Sequence, residues 1–476
     1  MRMSERKINT KIVCTIGPSS SSKQMLLRLA RAGMGVARLN LSHGTAGGQM
    51  AVLRRIRSTS SKAGFPVGVL VDLPGPRIRI GRVSPEPLTL LDGAYLRLTR
   101  RRVIGNPGLI SITPPSVLRR LDKGDTIFLA DGTIKLTVER LTRGEAVCRV
   151  ARGGSLFSGK GVNLPGKQLG LMALTRRDVS IMRLALRSGA DFIGLSFTTS
   201  ADDVARAKRI IKQANRQAWV IAKIERSQAV QNFDEIIREA DGAMVARGDL
   251  GVEMGIDRIP LLQKDIIKRA NAAGKPVITA TQMLESMVNS PTPTRAEVTD
   301  VANAIIDGTD AVMLSEETAV GKYPIEAVGI MKRVAAATEK TLPYRTLLDS
   351  KRPLVKTIVQ EAISFSASDI AYGLGASCIV AHTRTGLTAR RVSKYGPPVP
   401  IIALARSQSV ANQLSLLWGV YPRQVKKLRT TAEIFATAKT VARATGVASK
   451  GDKIVVVCGD PSTPSGTTDL LRVQTA

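Results

Sequence analysis

Cysteine, histidine and aromatic residues are scarce in this 476-residue sequence. The four cysteines and two histidines are scattered singly, with no CxxC spacing: Cys14, Cys148, Cys378, Cys458, His43 and His382. This pattern excludes a disulfide framework and a Cys/His zinc site. Long apolar runs are also missing, since no stretch approaches the roughly 18 residues of a membrane span. Residues 1–10 are polar and have no apolar signal-peptide core, so we expect a soluble, cytoplasmic protein of two or three domains.

Acidic residues are few compared with basic ones: the sequence has 38 Asp and Glu and 70 Lys and Arg, which gives a net charge of +32. Such a field concentrates anionic ligands. Nucleic acid is the first alternative, but binders of single strands stack bases on aromatic side chains. This chain has only 2 Trp, 6 Tyr and 8 Phe, and its densest basic cluster is Arg100-Arg101-Arg102. The charge therefore favours small anionic metabolites, with no specific nucleic acid.

Eight short apolar runs are each followed by an amphipathic stretch, as in repeated βα units. The runs are 11–16, 36–39, 67–71, 192–195, 219–224, 243–246, 276–280 and 311–314. One of the following helices is predicted at residues 295–306, with Thr294 as its N-cap. Eight such units predict a closed (β/α)8 barrel of the TIM type, whose chemistry lies at the C-terminal ends of its strands.

Two segments interrupt or follow this pattern. Residues 77–166 show alternating, turn-rich segments without a convincing helix, which predicts an inserted β-rich domain placed to close over the site as a lid. A new series of apolar runs and amphipathic stretches begins near Arg345 and predicts an open α/β domain over 345–476. Residues 342–356 are the predicted linker. The barrel then comprises residues 1–76 and 167–344.

The segment Gly154-Ser-Leu-Phe-Ser-Gly-Lys160 matches the first seven positions of a P-loop. Gly161 occupies the position that needs a Ser or Thr for Mg²⁺, and the following Asn-Leu-Pro-Gly cannot begin the required helix. We interpret the segment as a basic turn where the lid returns to the barrel, with Lys160 available to a nucleotide phosphate.

Charged residues follow two neighbouring barrel strands. Lys223 and Glu225 lie two apart on the predicted strand 219–224, and Asp249 follows the next strand. Two carboxylates from adjacent strands can hold one Mg²⁺ and leave it water and substrate oxygens. Taken alone, these residue types are more typical of a structural Lys–Glu ion pair and an N-capping aspartate, and their place at the strand ends favours the metal site.

Six motifs in the same order give the chain a close resemblance to the pyruvate kinase family over its whole length. The motifs are Thr15-Ile-Gly-Pro-Ser19, Ala37-Arg-Leu-Asn-Leu-Ser-His-Gly44, Ala222-Lys-Ile-Glu225, Met244-Val-Ala-Arg-Gly-Asp-Leu-Gly-Val-Glu253, Ala280-Thr-Gln-Met-Leu-Glu-Ser-Met287 and Pro293-Thr-Arg-Ala-Glu-Val-Thr-Asp-Val-Ala-Asn303. The resemblance implies the transfer of a phosphoryl group from phosphoenolpyruvate to ADP, giving pyruvate and ATP. It also implies a β-rich lid, a C-terminal regulatory domain and a homotetramer.

The resemblance further implies roles for individual residues. Glu225 and Asp249 match the Mg²⁺ (or Mn²⁺) ligands, and Gly248 and Asp249 match the helix start that meets the substrate carboxylate. Lys223 and Arg38 match the cations on the phosphoryl group, and Thr281 matches the threonine near the carbon that is protonated. The matching nucleotide contacts are Pro18, His43, Arg79 and Lys160. Phosphoryl transfer needs positioned cations more than covalent help, which agrees with these residue types.

One departure from the family concerns the monovalent cation. Asn40, Ser42, Asp72 and the Leu73 carbonyl match its K⁺ ligands, but Arg77 replaces an acid in Asp72-Leu-Pro-Gly-Pro-Arg-Ile-Arg79. We therefore expect that K⁺ is not required.

The predicted C-terminal domain contains a candidate phosphate loop, Thr383-Arg-Thr-Gly-Leu-Thr388. Its hydroxyls, Gly386 and the following helix start could bind one phosphate, although the same residues also describe a capped helix. The family resemblance makes Thr383, Thr385, Gly386 and Thr388 candidates for binding a sugar-phosphate or nucleotide effector, with loop 459–468 closing over it.

Two other functions fit parts of the sequence. A Mg²⁺-dependent barrel lyase or aldolase that handles pyruvate enolate needs no nucleotide lid, so protection of the fold by ADP would distinguish it. A non-catalytic binder of phosphorylated metabolites or RNA predicts loss of Lys223, Glu225 or Asp249, and all three are present.

Overall fold

A computed structural model describes residues 8–170, 172–355, 357–463 and 466–476. Segment 1–7 of the polar N-terminus, Lys356 of the predicted linker, and Pro464 and Ser465 of loop 459–468 lie outside the described residues, as does Leu171. Within the described ranges, no helix is both long enough and apolar enough to cross a membrane.

The chain opens with alternating strands and helices. These are β1 (Lys11–Thr15), α1 (Lys23–Ala32), β2 (Met34–Asn40), α2 (Ala46–Ala63) and β3 (Gly68–Asp72). Both helices begin at a hydroxyl N-cap, since the side chains of Ser22 and Thr45 accept hydrogen bonds from backbone N–H groups of the first turn. Every residue of β1 and β3 is buried, as expected for strands covered on both faces.

The segment after β3 folds into two sheets and forms the lid. Its strands are β4 (Arg79–Ile80), β5 (Leu88–Leu90), β6 (Tyr95–Thr99), β7 (Leu109–Thr113), β8 (Thr126–Leu129), β9 (Ile134–Thr142), β10 (Glu145–Arg152), β11 (Gly154–Leu156) and β12 (Val162–Asn163). Seven pair in the order β12-β8-β9-β10-β6-β7-β4, and β11 pairs with β5. A short 3₁₀ helix at Pro115–Arg120 was not predicted, because six residues are too few to show a helical period.

The βα series then resumes. Its elements are α3 (Arg176–Arg187), β13 (Phe192–Leu195), α4 (Ala201–Gln213), β14 (Trp219–Ile224), α5 (Ser227–Gln231), α6 (Phe233–Glu239), β15 (Gly242–Ala246), α7 (Arg247–Met254), α8 (Ile259–Ala272), β16 (Val277–Ala280), α9 (Arg295–Ile306), β17 (Ala311–Leu314), α10 (Glu316–Ala319) and α11 (Pro324–Thr341), with 3₁₀ helices at Ile256–Arg258 and Glu285–Val288. The predicted N-cap Thr294 is confirmed, and Glu297 completes a capping box there.

Eight parallel strands close the barrel in the order β1-β17-β16-β15-β14-β13-β3-β2. Alternate residues of each strand point to opposite sides. Val13, Leu70 and Met244 belong to a cluster that contains residues of all eight strands, whereas Ile12 and Cys14 pack with the surrounding helices. The predicted (β/α)8 barrel with a β-rich lid is confirmed, and all eight active-site loops leave one end of it.

A second α/β sheet completes the chain. Its elements are α12 (Tyr344–Lys351), a 3₁₀ helix (Arg352–Leu354), α13 (Val359–Gly373), β18 (Cys378–Thr383), α14 (Leu387–Lys394), β19 (Ile401–Ala405), α15 (Gln408–Leu414), β20 (Val420–Gln424), α16 (Thr431–Ala444), β21 (Lys453–Cys458) and β22 (Leu470–Thr475). The strand order is β20-β19-β18-β21-β22, with β22 antiparallel to β21. This is the open α/β sheet that the sequence predicted.

Three of these elements correct the sequence interpretation. Segment 342–356 was expected to lack periodic structure, but it contains helix α12, which buries Leu348 against Phe365 and Tyr395. Strands β20 and β22 were missed because both lie at sheet edges, where one face or flank stays polar. Strand β20 contains Pro422, which an edge strand tolerates.

Candidate active site

The residues predicted for catalysis meet at the carboxyl end of the barrel. Arg38 lies near the end of β2, Asp72 ends β3, and Lys223 lies near the end of β14. Asp249 belongs to the first turn of α7 after β15, and Thr281 follows β16. Because all eight strands are parallel, these positions lie at one rim of the barrel.

Asp72 joins two cations. Its Oδ2 accepts hydrogen bonds from Arg38 Nε at 2.9 Å and Nη2 at 2.5 Å, and its Oδ1 lies 3.3 Å from Lys223 Nζ. Burial acts to raise the pKa of Asp72, but the charges of Lys223 and Arg38 outweigh it, and this pKa lies below its usual value. Arg38 Nη1 also donates to Thr15 Oγ1 at 3.0 Å, so the guanidinium is fixed in orientation.

Lys223 is buried among oxygen atoms. Its Nζ lies 2.7 Å from Glu225 Oε1 and donates to Ser196 Oγ at 2.9 Å. Burial acts to lower the pKa of Lys223, but the charges of Asp72 and Glu225 outweigh it and hold this pKa above its ordinary value. The ammonium is therefore charged at neutral pH. The ion pair considered from sequence is present, and it lies inside the site.

Glu225 and Asp249 form a pair of carboxylates of like charge. Burial first, and then the charge of Glu225, raise the pKa of Asp249 to about 6, while Lys223 and Arg77 oppose the rise. Such a pair gains from a shared cation, and its hard oxygen donors suit Mg²⁺ or Mn²⁺. Among the described residues no group of three or more His, Cys, Asp or Glu could hold a metal alone. Two protein carboxylates would leave the remaining ligand positions to water and substrate.

The lid contacts the barrel next to Asp249. The backbone N–H of Gly166, at the lid's return, donates to Glu253 Oε1 of α7 at 3.2 Å. A Cβ at Gly132, in the turn before β9, would lie 3.2 Å from the Val252 side chain of the same helix. Asp131, in that turn, adds to the charge that acts on Asp249. The lid thus reaches the helix that bears a candidate metal ligand.

Thr281 has an unusual backbone conformation. Its φ is +70°, a left-handed value that is strained for a β-branched residue. Its Oγ1 accepts from Gly248 N at 3.0 Å and donates to the Ala280 carbonyl at 2.6 Å. Arg247 Nη2 donates to the Thr281 carbonyl at 2.6 Å, while Nη1 donates to Asp300 at 2.7 Å. These contacts hold Thr281 against the first turn of α7.

The predicted nucleotide residues fall into two pairs. Pro18 and His43 lie in the loops after β1 and β2, while Arg79 and Lys160 lie at the base of the lid. Strand β4 brings the lid pair together, because Ile80 N donates to the Lys160 carbonyl at 3.0 Å and Arg79 Nη1 donates to Gly159 O at 2.6 Å. Within the described part of the chain, no hydrogen bond or ion pair joins the two pairs.

The candidate K⁺ ligands already have partners. Asn40 Oδ1 accepts from Ser42 N at 3.1 Å, and the Leu73 carbonyl accepts from Ser196 Oγ at 2.7 Å. Asp72 is engaged by Arg38 and Lys223. The exposed Arg77 acts electrostatically on Asp249 and on Arg79, so a fixed positive charge lies near the site.

Three site residues lacked a role in the sequence interpretation. Ser196 follows β13, so the rule that pointed to Lys223 and Asp249 could have found it as well. Arg247 stands inside a quoted motif, but its contacts to Thr281 and Asp300 join distant segments. Phe197 donates its backbone N–H to Glu225 Oε2 at 2.7 Å. Its φ is +54°, and nothing in the sequence indicates a left-handed backbone at a phenylalanine.

The candidate effector loop lies beside a cavity of about 290 Å³ in the C-terminal sheet domain. Thr383, Thr385 and Thr388 line it, whereas Gly386 does not: a Cβ there would lie 3.3 Å from Leu414. Thr383 Oγ1 accepts from Gly386 N at 2.9 Å, and Thr388 pairs with Thr468 Oγ1 at 3.0 Å. Five cations that the sequence interpretation did not use also line the cavity: Arg384, Arg406, Lys426, Lys427 and Arg429.

The fold and the site together define a (β/α)8-barrel enzyme that acts on anionic substrates, with cations and paired carboxylates at the strand ends. Residues 7–328 match the family model for the pyruvate kinase barrel domain, and residues 361–474 match the model for the pyruvate kinase alpha/beta domain. Over 98% of this chain, it is 43% identical to a pyruvate kinase of Geobacillus stearothermophilus, covering 80% of that protein. It is also 43% identical to one of Thermococcus litoralis, covering 98% of each chain.

The chain belongs to the pyruvate kinase family. It is a glycolytic phosphotransferase, which converts phosphoenolpyruvate and ADP into pyruvate and ATP.

Proposed function

We propose that Glu225 and Asp249 hold the divalent cation of this reaction, Mg²⁺ or Mn²⁺. The observation that carries the proposal is the placement of the two carboxylates at the ends of neighbouring parallel strands, Glu225 after β14 and Asp249 after β15. Burial and the nearby charge of Glu225, which raise the pKa of Asp249 to about 6, agree with a shared cation there. When bound, the cation supplies Lewis-acid stabilisation of phosphoryl and enolate oxygens. The test is the rate of Glu225 and Asp249 variants in saturating Mg²⁺.

Arg38 and Lys223 bind the transferring phosphoryl group in this proposal. Arg38 has five N–H donors, of which three are bound to Asp72 and Thr15, so two remain for phosphate oxygens. Once Glu225 ligates the cation, the N–H that Lys223 now donates to it becomes available to a phosphoryl oxygen. Both cations are fixed before the substrate arrives, which is what transition-state stabilisation requires.

Thr281 relays the proton to the enolate carbon, directly or through a water that it binds. Its hydroxyl already bridges Gly248 N and the Ala280 carbonyl, and Arg247 fixes its backbone. The substrate carboxylate lies at the first turn of α7, beside Gly248 and Asp249. The nucleotide is bound between Pro18 and His43 of the barrel and Arg79 and Lys160 of the lid.

We predict that the enzyme works without K⁺. Arg77 places a permanent charge near the site, where its field acts on Asp249. Two cations about 4 Å apart repel by roughly 4 kcal/mol at an effective dielectric of 20, so a monovalent ion beside Arg77 would be disfavoured. The expected result is the same rate in tetramethylammonium and K⁺ buffers of equal ionic strength. A rate that falls by orders of magnitude without K⁺, and returns with it, would contradict the role of Arg77.

The cationic cavity is proposed to bind the phosphate of an activating sugar phosphate or nucleotide. Among the described residues that line it, five are cations and Asp460 is the one acid. This charge imbalance supports a phosphorylated ligand more strongly than the hydroxyls, whose hydrogen bonds are partly used within the loop.

The effector prediction is tested on the saturation curve for phosphoenolpyruvate. We expect fructose 1,6-bisphosphate, glucose 6-phosphate, ribose 5-phosphate or AMP to shift this curve to lower concentration. The double variant Thr383→Ala/Thr388→Ala, and separately Arg406→Met, should weaken the shift at least about tenfold in effector concentration, as expected on losing charge-assisted contacts. If no compound shifts the curve, or if all variants respond as the parent does, the cavity is not an effector site.

The family resemblance also supports three broader proposals: a homotetramer, a cytoplasmic location in keeping with glycolysis, and division of the chain at about residues 77, 167 and 345. Sedimentation of the intact chain tests the first of them, with a monomer or dimer as the contradicting result.

A further inference from the structure

A cavity of about 120 Å³ lies between the barrel and the C-terminal sheet domain. We call it the seam cavity. Residues that precede β16 and β17, including Lys275 and Asp310, line it, so it lies at the end of the barrel opposite the catalytic site. Apolar side chains form one wall: Leu342, Tyr344, Leu347 and Leu417.

Trp418 contributes an unused donor to the seam cavity. The residue is 7% exposed, and its indole Nε1 has no hydrogen-bond partner among the described residues. Gly396, which lines the cavity, lies close to this nitrogen and to Lys351 Nζ: a Cβ added at the glycine would be 4.0 Å from the indole nitrogen and 3.1 Å from Nζ. The two donors therefore flank the same glycine of the cavity lining. A buried N–H without a partner is costly, and a ligand acceptor there would offset that cost.

Three cations at the seam cavity also lack a carboxylate partner. Lys351 Nζ donates to the Lys394 carbonyl at 2.9 Å, Arg390 donates to the carbonyls of Gly274 and Asp241, and Lys275 donates to that of Ala240. None of the three forms an ion pair with a described carboxylate. Burial lowers the pKa values of Lys351 and Lys275 to about 8 each, against the opposing charges of Asp310 on Lys351 and of Asp241 on Lys275, which agrees with the absence of an ion pair at either lysine among the described residues.

The local charge balance favours an anion. Asp310 is the acidic residue that acts most on Lys351, but its carboxylate already accepts from Val277 N at 3.0 Å and Trp418 N at 3.2 Å. An adjoining recess shares Lys275, Arg390 and Lys394 with the seam cavity and adds Arg391. Lys394 is neutralised by Glu361 at 2.8 Å, and Asp307, the other acidic residue of the lining, pairs with Lys264, which lies outside the lining. The remaining cations are therefore in excess.

We propose that the seam cavity binds a small organic anion that carries an apolar ring. Lys351 and Arg390 would bind its anionic group, Trp418 Nε1 would donate to an acceptor on it, and Tyr344 and Leu347 would pack against the ring. The site lies at the opposite end of the barrel from the catalytic rim, and among the described residues it shares no lining residue with the effector cavity.

The test is calorimetric titration of the intact chain with benzoate and phenyl phosphate. Benzamide provides a neutral isostere of benzoate, and inorganic phosphate provides an anion without a ring. We expect both aromatic anions to bind with one common site per chain, and benzamide and inorganic phosphate to bind at least about tenfold more weakly there, as loss of a charged contact implies. Equal binding of benzamide and benzoate would contradict the proposal.

Two variants locate the site. Trp418→Phe keeps the ring but loses the N–H, and should weaken benzoate binding about fivefold to tenfold, while Lys351→Met should weaken it more. Lys268→Met, an exposed lysine on α8 that does not line the cavity, is the matched charge control and should bind as the parent does. Turnover should be unchanged in all three. Parental binding in Trp418→Phe would overturn the assignment even if Lys351→Met did not fold.

Discussion

Replacement of Lys223 by methionine is expected to lower kcat for phosphoryl transfer by at least about 10³-fold, with a much smaller change in the KM for phosphoenolpyruvate. The ammonium is buried and held by Asp72, Glu225 and Ser196, so solvent cannot supply a substitute charge. Its charge matters most when the phosphoryl group is separated from both oxygens, because negative charge is then spread over its equatorial oxygens.

The same variant should retain more of a second activity, the exchange of protons at C3 of pyruvate. That step depends on Thr281, whose hydroxyl contacts Gly248 and Ala280 and forms no hydrogen bond with Lys223 among the described residues. Exchange measured by NMR in D₂O should therefore fall less than phosphoryl transfer does. If instead KM rises and kcat is unchanged, Lys223 acts in ground-state binding.

A control is needed because Lys223 also neutralises buried carboxylates. After its removal, Asp72 keeps Arg38 and Glu225 keeps the Phe197 N–H, so we expect a folded but less stable protein. Lys264→Met removes a lysine whose side chain is 54% exposed; its partner Asp307 is 5% exposed but keeps the hydrogen bond from Gln263 Nε2 at 3.0 Å. This variant should lose little stability and no activity.

Replacement of either Glu225 or Asp249 by alanine should reduce turnover at least about 10³-fold, since each removes one of two protein ligands to the cation. The fold should survive in Asp249→Ala, because removing a buried carboxylate with a pKa raised to about 6 also removes repulsion from Glu225. Chelation with EDTA should stop the parent enzyme, and Mg²⁺ or Mn²⁺ should restore it but not the variants.

Asp257→Ala is the matched control for the carboxylate variants. Asp257 is exposed and lies in the 3₁₀ helix just after α7, so it tests whether loss of any nearby acid is enough. It should be as active as the parent. Near-normal rates in Glu225→Ala or Asp249→Ala at saturating Mg²⁺ would take that residue out of the metal site.

The barrel was predictable because its signals are local. Each strand is a short apolar run, and polar N-caps such as Thr294 mark where a helix begins. Helix α12 was not predictable in this way, since its buried residue, Leu348, meets partners from α13 and from the end of α14. The sequence of edge strand β22 shows only a weak alternation of apolar and polar residues, so it does not predict a strand. The strand is stabilised by its antiparallel pairing with β21.

The active site, like the fold, contains residues that the sequence predicts and residues that it does not. Residues at strand ends, such as Lys223 and Asp249, could be proposed from their position after a buried run. Arg247 could not, because its function depends on contacts with Thr281 and Asp300, which lie 34 and 53 residues away. The cations of the effector cavity come from three separate segments, with Arg384 after β18, Arg406 after β19 and Lys427 after β20, and only the folded sheet brings them together.

In our proposal, the coupling of phosphoenolpyruvate cleavage to ADP phosphorylation takes place at one site at the barrel rim. Its most direct test is ³¹P NMR of the purified chain with phosphoenolpyruvate, ADP and Mg²⁺ in a buffer free of K⁺, with pyruvate measured in the same sample. We predict that ATP and pyruvate appear in equal amounts and that inorganic phosphate does not accumulate. Pyruvate formed with inorganic phosphate instead of ATP, or no reaction with Mg²⁺ even after K⁺ is added, would contradict this coupling.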